Sequence, residues 1–177
     1  MFVALPKEVA VEVRIELARR GIIVISNASI TRLEPDIPLN PEINTDHVEA
    51  IEVRRRSRRW SETIVKVPNC TTAILTLTLK PIYDEYGLKR VVVAIMQGLS
   101  GAGLAGMFSM TILENIILFI EDEEEKVDTE SRKITGLFNG NSIVFNNKFT
   151  VSASCHRVMV LEGQSLVVFI KKRESRC

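Results

Sequence analysis

Cys70 stands in the stretch PNCTTAILTLTLKP, residues 68–81, between a Pro-Asn pair and a Thr pair, just ahead of a long apolar run. That setting places the thiol at the start of a helix, where free N–H groups and the helix macrodipole favour a thiolate. A catalytic cysteine needs that position, but small buried cysteines are also common. Position alone leaves both readings open. Cys155 and His156 are adjacent and suggest a thiol–imidazole pair. On a strand, however, neighbouring side chains point to opposite faces, so the two are not expected to meet. His47 reads as a polar helix residue. No group of Cys and His has zinc spacing, and no metal site is expected.

Gly101-Ala102-Gly103-Leu104-Ala105-Gly106 matches G-x-G-x-x-G literally, after a strand and before a helix, with acidic residues about 20 positions on. In the dinucleotide fingerprint that acidic residue ends a second strand. Here Glu121 to Glu125 follow an apolar, helix-like segment instead. The glycines are better read as letting the backbone approach something closely at an active-site turn. Arg54, Arg55, Arg56, Arg58 and Arg59 with Trp60 look like a nucleic-acid patch. With Glu49 and Glu52 in helical reach and a net charge of only +1, a solvated helix face fits better.

The elements that must position these residues can be read from pattern. The chain has 177 residues, 46% hydrophobic and 25% charged, an ordinary globular composition with room for one domain or parts of two. Its apolar runs are too short to span a bilayer, and MFVALPKEVAVEV does not read as a signal peptide. Three widely spaced cysteines argue for a reducing compartment, so a cytoplasmic location is expected. Neither nucleic acid nor a membrane is an expected partner.

The order begins as strand (2–5), helix (7–21) and strand (22–26), a βαβ unit with parallel strands. A Pro/Asn-rich loop or linker follows over 33–44. A helix over 46–59 and a strand over 64–67 lead to a helix over 71–86, capped by Asn69 or a Thr and stopped by Gly87. Next come a strand over 89–97, the glycine loop, a helix over 110–120 and a short acidic-start helix from 121. The expected end is a hairpin of strands 149–160 and 165–170, turning at Glu162-Gly163.

Six stretches in order resemble the aspartate-semialdehyde dehydrogenase family, especially its archaeal and fungal branch. They are FVALPKEVA, ISNASITR, IPLNPEINTDH, VPNCTTAILTLTLKPIYDEYGLK, QGLSGAGLAGMFSMTILENIILFIEDEEEK and VSASCHRVMVLEGQSLVVF. The resemblance covers nearly the whole chain. It implies an α/β fold: the C-terminal part of a Rossmann-like nucleotide-binding domain (1–66), then the first part of an α+β catalytic and dimerisation domain (67–177). It also implies NADPH-dependent reduction of an acyl phosphate to a semialdehyde, through a cysteine thioester.

Carried over residue by residue, Cys70 matches the nucleophile and Gln97 the glutamine that positions the acyl group. Glu123, Lys126 and Arg157 match substrate contacts, and Arg32 matches the phosphate-binding arginine. Asn69 and the loop Ser100, Gly101, Ala102, Gly103 match positions near substrate and nicotinamide. Guanidinium forks suit carboxylate and phosphate, and Glu123 suits an ammonium group. The implied partners are a small-molecule substrate, phosphate, the cofactor NADP and a second copy in a homo-oligomer.

The sequence departs from the family at Gly163-Gln164, where the family has Gly-His. Glutamine does not titrate and cannot shuttle a proton at neutral pH. The family's following glutamate falls on Leu166. The family's N-terminal glycine fingerprint and the later part of its catalytic domain are not found in these residues, so the resemblance implies a chain truncated at both ends. Little or no activity is expected of this chain alone. The alternatives are a non-catalytic module that pairs with a full-length homologue, and a reductase of another acyl substrate such as malonyl-CoA.

Overall fold

The structure, a computed structural model, describes residues 1–5, 7–58, 61, 63–103 and 109–173. The chain divides into two compact units, Met1–Lys80 with Thr129–Asn147 and Pro81–Asp128 with Lys148–Cys177. Both mix helix and strand.

The first unit opens with β1 (Phe2–Val3), α1 (Lys7–Arg19) and β2 (Ile23–Ser26). Helix α1 ends where Gly21 takes φ +76°: the Gly21 N–H donates to the Ala18 carbonyl at 3.0 Å and the Ile22 N–H to that of Leu17 at 3.1 Å. This is the paired closure that a left-handed residue allows after a helix. The inward face of α1 is carried by Ala10 and Ala18, small enough to let the helix lie close to Val3, Val24 and Ile64 of the sheet. A 3-10 turn (Thr45–Glu49) runs into α2 (Ala50–Arg58), and β3 (Thr63–Lys66) completes a parallel sheet in the order β1-β2-β3. The expected βαβ unit is present, with Phe2 opposite Ile25 and Ile23 opposite Thr63.

The proline-rich segment after β2 is a loop but not a linker. Ile37 and Leu39 are fully buried, and Leu39 bridges to Lys66. Buried Arg54 donates to Glu34 at 2.8 Å and to Asp36 at 2.7 Å. The solvated reading of the arginine cluster therefore fails at Arg54, whose i-face position turns it to the acidic loop. It suits Arg55, which pairs with Glu52 at 2.6 Å in partial exposure. Arg59 and Trp60 lie outside the described residues.

Helix α3 (Cys70–Tyr86) follows β3 and stops at Gly87, φ +63°. Strand β4 (Leu88–Gln97) lies in the second unit, which the chain enters at Pro81 within α3, and is followed by a 3-10 turn (Leu99–Ala102) and a short helix, α4 (Ser109–Ile112). The helix expected over 110–120 ends there. Glu114 adopts φ +52°, and Ile117 exchanges backbone hydrogen bonds of 3.0 and 2.9 Å with Arg157. Pairing with a distant strand overrides the local helical pattern. Helix α5 (Glu123–Ile134) then returns the chain to the first unit, with three glutamates in its first turn where the macrodipole favours them. The small antiparallel pair β5 (Leu137–Phe138) and β6 (Ile143–Val144) has no counterpart in the sequence reading.

The chain ends with β7 (Thr150–Arg157) and β8 (Gln164–Lys172). They do not form the expected hairpin. Strand β4 lies between them, parallel to β7 and antiparallel to β8. Residues 158–163 instead pass over the end of β4, where Gly98, Leu99 and Ser100 donate N–H groups to the carbonyls of Gly163, Val160 and Leu161 at 2.8, 2.8 and 3.0 Å. A Cβ on Gly98 would sit 3.0 Å from two of that segment's carbonyl oxygens, so the absence of a side chain lets the crossing run this close. One face of this sheet buries Val91, Val93 and Ile95, while the other exposes Val92, Met96, Val167 and Phe169. Among the described residues no helix is long and apolar enough to cross a membrane.

Candidate active site

Two constellations stand at strand ends, one in each unit. In the first unit, β3 runs through Pro68 and Asn69 into α3, and the Asn69 side-chain oxygen accepts the N–H groups of Thr71 at 3.0 Å and Thr72 at 3.3 Å. Asn69 is therefore the N-cap, as the sequence suggested, and Cys70 is the first residue of the helix, with its thiol exposed. Arg32 lies in the loop after β2, almost completely buried. Its Nη1 donates to Glu130 at 2.9 Å and its Nη2 to the Asn27 carbonyl, while its buried Nε–H meets no acceptor among the described residues.

Glu130 was not singled out by sequence reasoning, nor was Lys133. Both are buried on α5. The second oxygen of Glu130 accepts the Asn69 backbone N–H at 2.7 Å. The Lys133 ammonium donates to the carbonyls of Arg32, Glu34 (2.6 Å) and Ile37 (2.8 Å), matching its three N–H groups to three acceptors. Burial pushes the Lys133 pKa down to about 7, against the pull of Asp36, Glu34 and Glu130. A signal existed: Val127, Glu130 and Ile134 share one helix face, so a charged residue stands in line with two buried apolar ones.

His47 corrects another expectation. It is fully buried in the 3-10 turn rather than a polar residue on a solvated helix, and its Nε2 bonds the Gly136 carbonyl at 3.1 Å. A carbonyl only accepts, so Nε2 carries the proton and the partnerless, buried Nδ1 does not. Burial lowers its pKa.

In the second unit, three expected residues fall in one row. Gln97 at the end of β4 is opposite Arg157 of β7 on one side and Gln164 of β8 on the other. Neighbours in register project to the same face. Arg157 is buried, and its Nη1 donates to the Gly98 carbonyl at 2.8 Å and to the Gln97 side-chain oxygen at 3.3 Å. The Gln97 amide donates to Glu123 at 3.1 Å, and the other Glu123 oxygen meets Lys126 at 3.4 Å. Arg157, Gln97, Glu123 and Lys126 thus form one hydrogen-bonded chain with a cation at each end.

Ser100, Gly101 and Ala102 lie in the 3-10 turn beside this row, and Gly103 follows at φ +76°. A Cβ on Gly101 would come within 2.5 Å of Arg157 Nη1, whereas one on Gly103 would meet nothing within 4 Å among the described residues. The rest of the literal G-x-G-x-x-G, Leu104 to Gly106, lies outside the described residues. Cys155 is buried, its backbone N–H donates to Glu124 at 3.1 Å, and burial with Glu123 and Glu124 pushes its thiol up to about 12. His156 is turned to the other face, where it bonds Ser154 at 3.2 Å and the Leu118 carbonyl at 3.1 Å. Those two residues form no thiol–imidazole pair. Among the described residues no group of three His, Cys, Asp or Glu is placed to hold a metal ion.

Known proteins resemble this chain along its length. Residues 1–51 match the family described as semialdehyde dehydrogenase, NAD binding domain, and residues 79–176 match semialdehyde dehydrogenase, dimerisation domain. The aspartate-semialdehyde dehydrogenase of Methanothermobacter thermautotrophicus is 50% identical over 172 residues, which are 97% of this chain and 49% of that protein. That of Archaeoglobus fulgidus is 48% identical over 97% of this chain and 50% of its own length. Among solved structures, aspartate semialdehyde dehydrogenase with NADP from Candida albicans superposes with a TM-score of 0.87 at 29% identity, over 99% of this chain and 51% of that one. The chain spans about half the length of the curated relatives it matches.

Proposed function

The chain belongs to the semialdehyde dehydrogenase family, and from that premise we propose that it carries the nucleophile and substrate contacts of an aspartate-semialdehyde dehydrogenase homologue. The observation that carries this reading is the row Gln97, Arg157, Gln164 with its extension to Glu123 and Lys126. It offers a guanidinium for a carboxylate, a carboxylate for an ammonium group and an amide for an acyl oxygen. Those are the functional groups of an aspartyl substrate.

In this reading the Cys70 sulfur attacks the acyl carbon of aspartyl phosphate. A carbon–sulfur bond forms, and the bond to the phosphate oxygen breaks with its electron pair leaving on phosphate. The product is a thioester on Cys70. Arg32 receives the phosphate. Arg32 suits that task as a guanidinium already fixed in its loop by Glu130 and the Asn27 carbonyl. Arg157 holds the substrate carboxylate, Glu123 its ammonium group, and Gln97 orients the acyl group. Asn69 keeps the first turn of α3 closed beneath the thiol.

NADPH, when bound, supplies the hydride that reduces the thioester. Ser100 to Gly103 would hold that end of the cofactor, where the positive φ of Gly103 lets the backbone turn without a side chain. Gln164 can donate and accept hydrogen bonds at the family's histidine position but cannot exchange a proton with the reacting oxygen or sulfur. The chain is accordingly a weak catalyst or an inactive one, slower by roughly a hundred- to ten-thousand-fold. The exposed apolar face of Val92, Met96, Val167 and Phe169 supports pairing with a second copy. It is equally suited to the matching face of a longer homologue.

The test is protection of Cys70 from alkylation. Aspartate semialdehyde should slow modification of the Cys70 peptide, and succinic semialdehyde, which lacks the amino group, should not. Equal protection by both, or by neither, would refute the aspartyl reading.

A further inference from the structure

Glu130 is 2% exposed, and a buried carboxylate must find partners for both oxygens. It divides them between two different segments of the first unit. Oε1 accepts from Arg32, in the loop after β2, and Oε2 accepts from the Asn69 backbone, in the turn after β3. One helical turn along α5, Lys133 holds the carbonyl of Arg32 and two further carbonyls of the same loop. Arg32 is therefore gripped by its side chain and by its backbone from one helix. Asn69, the second partner of Glu130, is the residue that caps α3 immediately before Cys70.

A buried ion pair is weak evidence for stability by itself, since the desolvation of both charges offsets their attraction. What this carboxylate does that an apolar residue could not is fix a guanidinium and a peptide N–H relative to each other. We propose that Glu130 is a positioning residue that holds the Arg32 guanidinium in register with the turn bearing Cys70, so that an anionic group reaching the thiol meets the arginine at a set place. The inference rests on the reading of Cys70 and Arg32 given above. It adds Glu130 as the residue that makes them one site.

The test compares two alkylating reagents on the 177-residue chain. Iodoacetate is anionic and iodoacetamide is neutral, and each is read as modification of the Cys70 peptide by mass spectrometry. The ratio of their rates cancels the accessibility and thiolate fraction of Cys70 and reports positive charge held near the sulfur. Arg32→Ala should lower the ratio about threefold or more. Glu130→Gln should lower it as well, although it removes a negative charge and by charge alone would raise the ratio. Glu130→Asp keeps the charge but is one methylene too short to span both partners. It should lower the ratio by a smaller factor, and it carries the test if thermal unfolding shows that the glutamine variant does not fold.

A ratio that falls in all the folded variants supports the proposal. A fall in Arg32→Ala with an unchanged or raised ratio in the Glu130 variants would overturn the positioning role and leave the reading of Arg32 intact. A ratio indifferent to Arg32→Ala would overturn that reading, and the role of Glu130 with it. Mere loosening of the fold would speed both reagents together and leave the ratio where it was, which counts against the proposal.

Discussion

Gly101→Ala should displace Arg157 without replacing any residue of the polar row. The new Cβ would stand 2.5 Å from Arg157 Nη1 and 3.4 Å from the Gln97 side-chain oxygen. To restore an ordinary van der Waals distance the guanidinium must withdraw by roughly 1 Å. Its 3.3 Å bond to Gln97 has no room to lengthen, and its 2.8 Å bond to the Gly98 carbonyl would be strained to the limit of a hydrogen bond. Bonds to a charged donor contribute about 1.5–3 kcal/mol each. Replacing glycine returns roughly 0.4–1 kcal/mol through the unfolded chain. The expected net cost is about 2 kcal/mol.

The measurement is urea unfolding of four proteins: the parent, Gly101→Ala, Arg157→Ala and the double variant. With the guanidinium gone, the alanine methyl has space, so Gly101→Ala should keep only its gain of roughly 0.4–1 kcal/mol in that background. The coupling energy of the cycle should then be about 2.5–3 kcal/mol. If Gly101→Ala costs the same in both backgrounds to within about 0.5 kcal/mol, the steric link between this turn and Arg157 is wrong.

Two further expectations concern the first unit. A Cβ on Gly136 would collide with the Val144 carbonyl oxygen and lie 2.9 Å from that of Lys133, both backbone atoms that cannot swing away. Gly136→Ala should therefore cost roughly 3 kcal/mol or more in urea unfolding, whereas Gly140→Ala, at φ +88° with open space around it, should cost only about 1–2 kcal/mol. The pKa of buried His47 is held below its ordinary value of 6.5, so its contribution to stability is present above pH 6.5 and is lost as the pH falls through the folded-state value. The urea midpoint of the parent should drop more steeply between pH 7.5 and 5 than that of His47→Asn. Parallel pH dependences would show that the imidazole is not kept neutral by burial.

How legible this protein is depends on the range of the interaction that decides each feature. Gly21 and Gly87 mark helix ends because a left-handed residue after a helix closes it locally. Asn69 caps α3 through bonds to residues two and three positions on, so the cap and the place of Cys70 at the helix start could be read from a few letters. The strands announced themselves by runs of Val and Ile, and family resemblance supplied the identities of Gln97, Glu123, Lys126, Arg157 and the glutamine at position 164.

Partners distant in the chain were not legible in the same way. Strands 150–157 and 164–172 are neighbours in sequence with a glycine between them, yet β4 takes the place between them. Only competition among all possible pairings settles that, and no local pattern reports it. Residues 113–120 have a helical composition, but Ile117 finds more by pairing with Arg157. Arg54, Glu130, Lys133 and His47 are polar by letter and buried in fact, because a buried polar group is stable wherever its partners converge, and convergence is a property of the fold. The sequence by itself determined the helix caps, the strands and the types of group available for chemistry, since these depend on neighbours along the chain. The tertiary structure alone decided that Gln97, Arg157 and Gln164 share one row and that a single carboxylate joins Arg32 to the Cys70 turn, since sheet order and buried charge pairing bring together residues up to about a hundred positions apart.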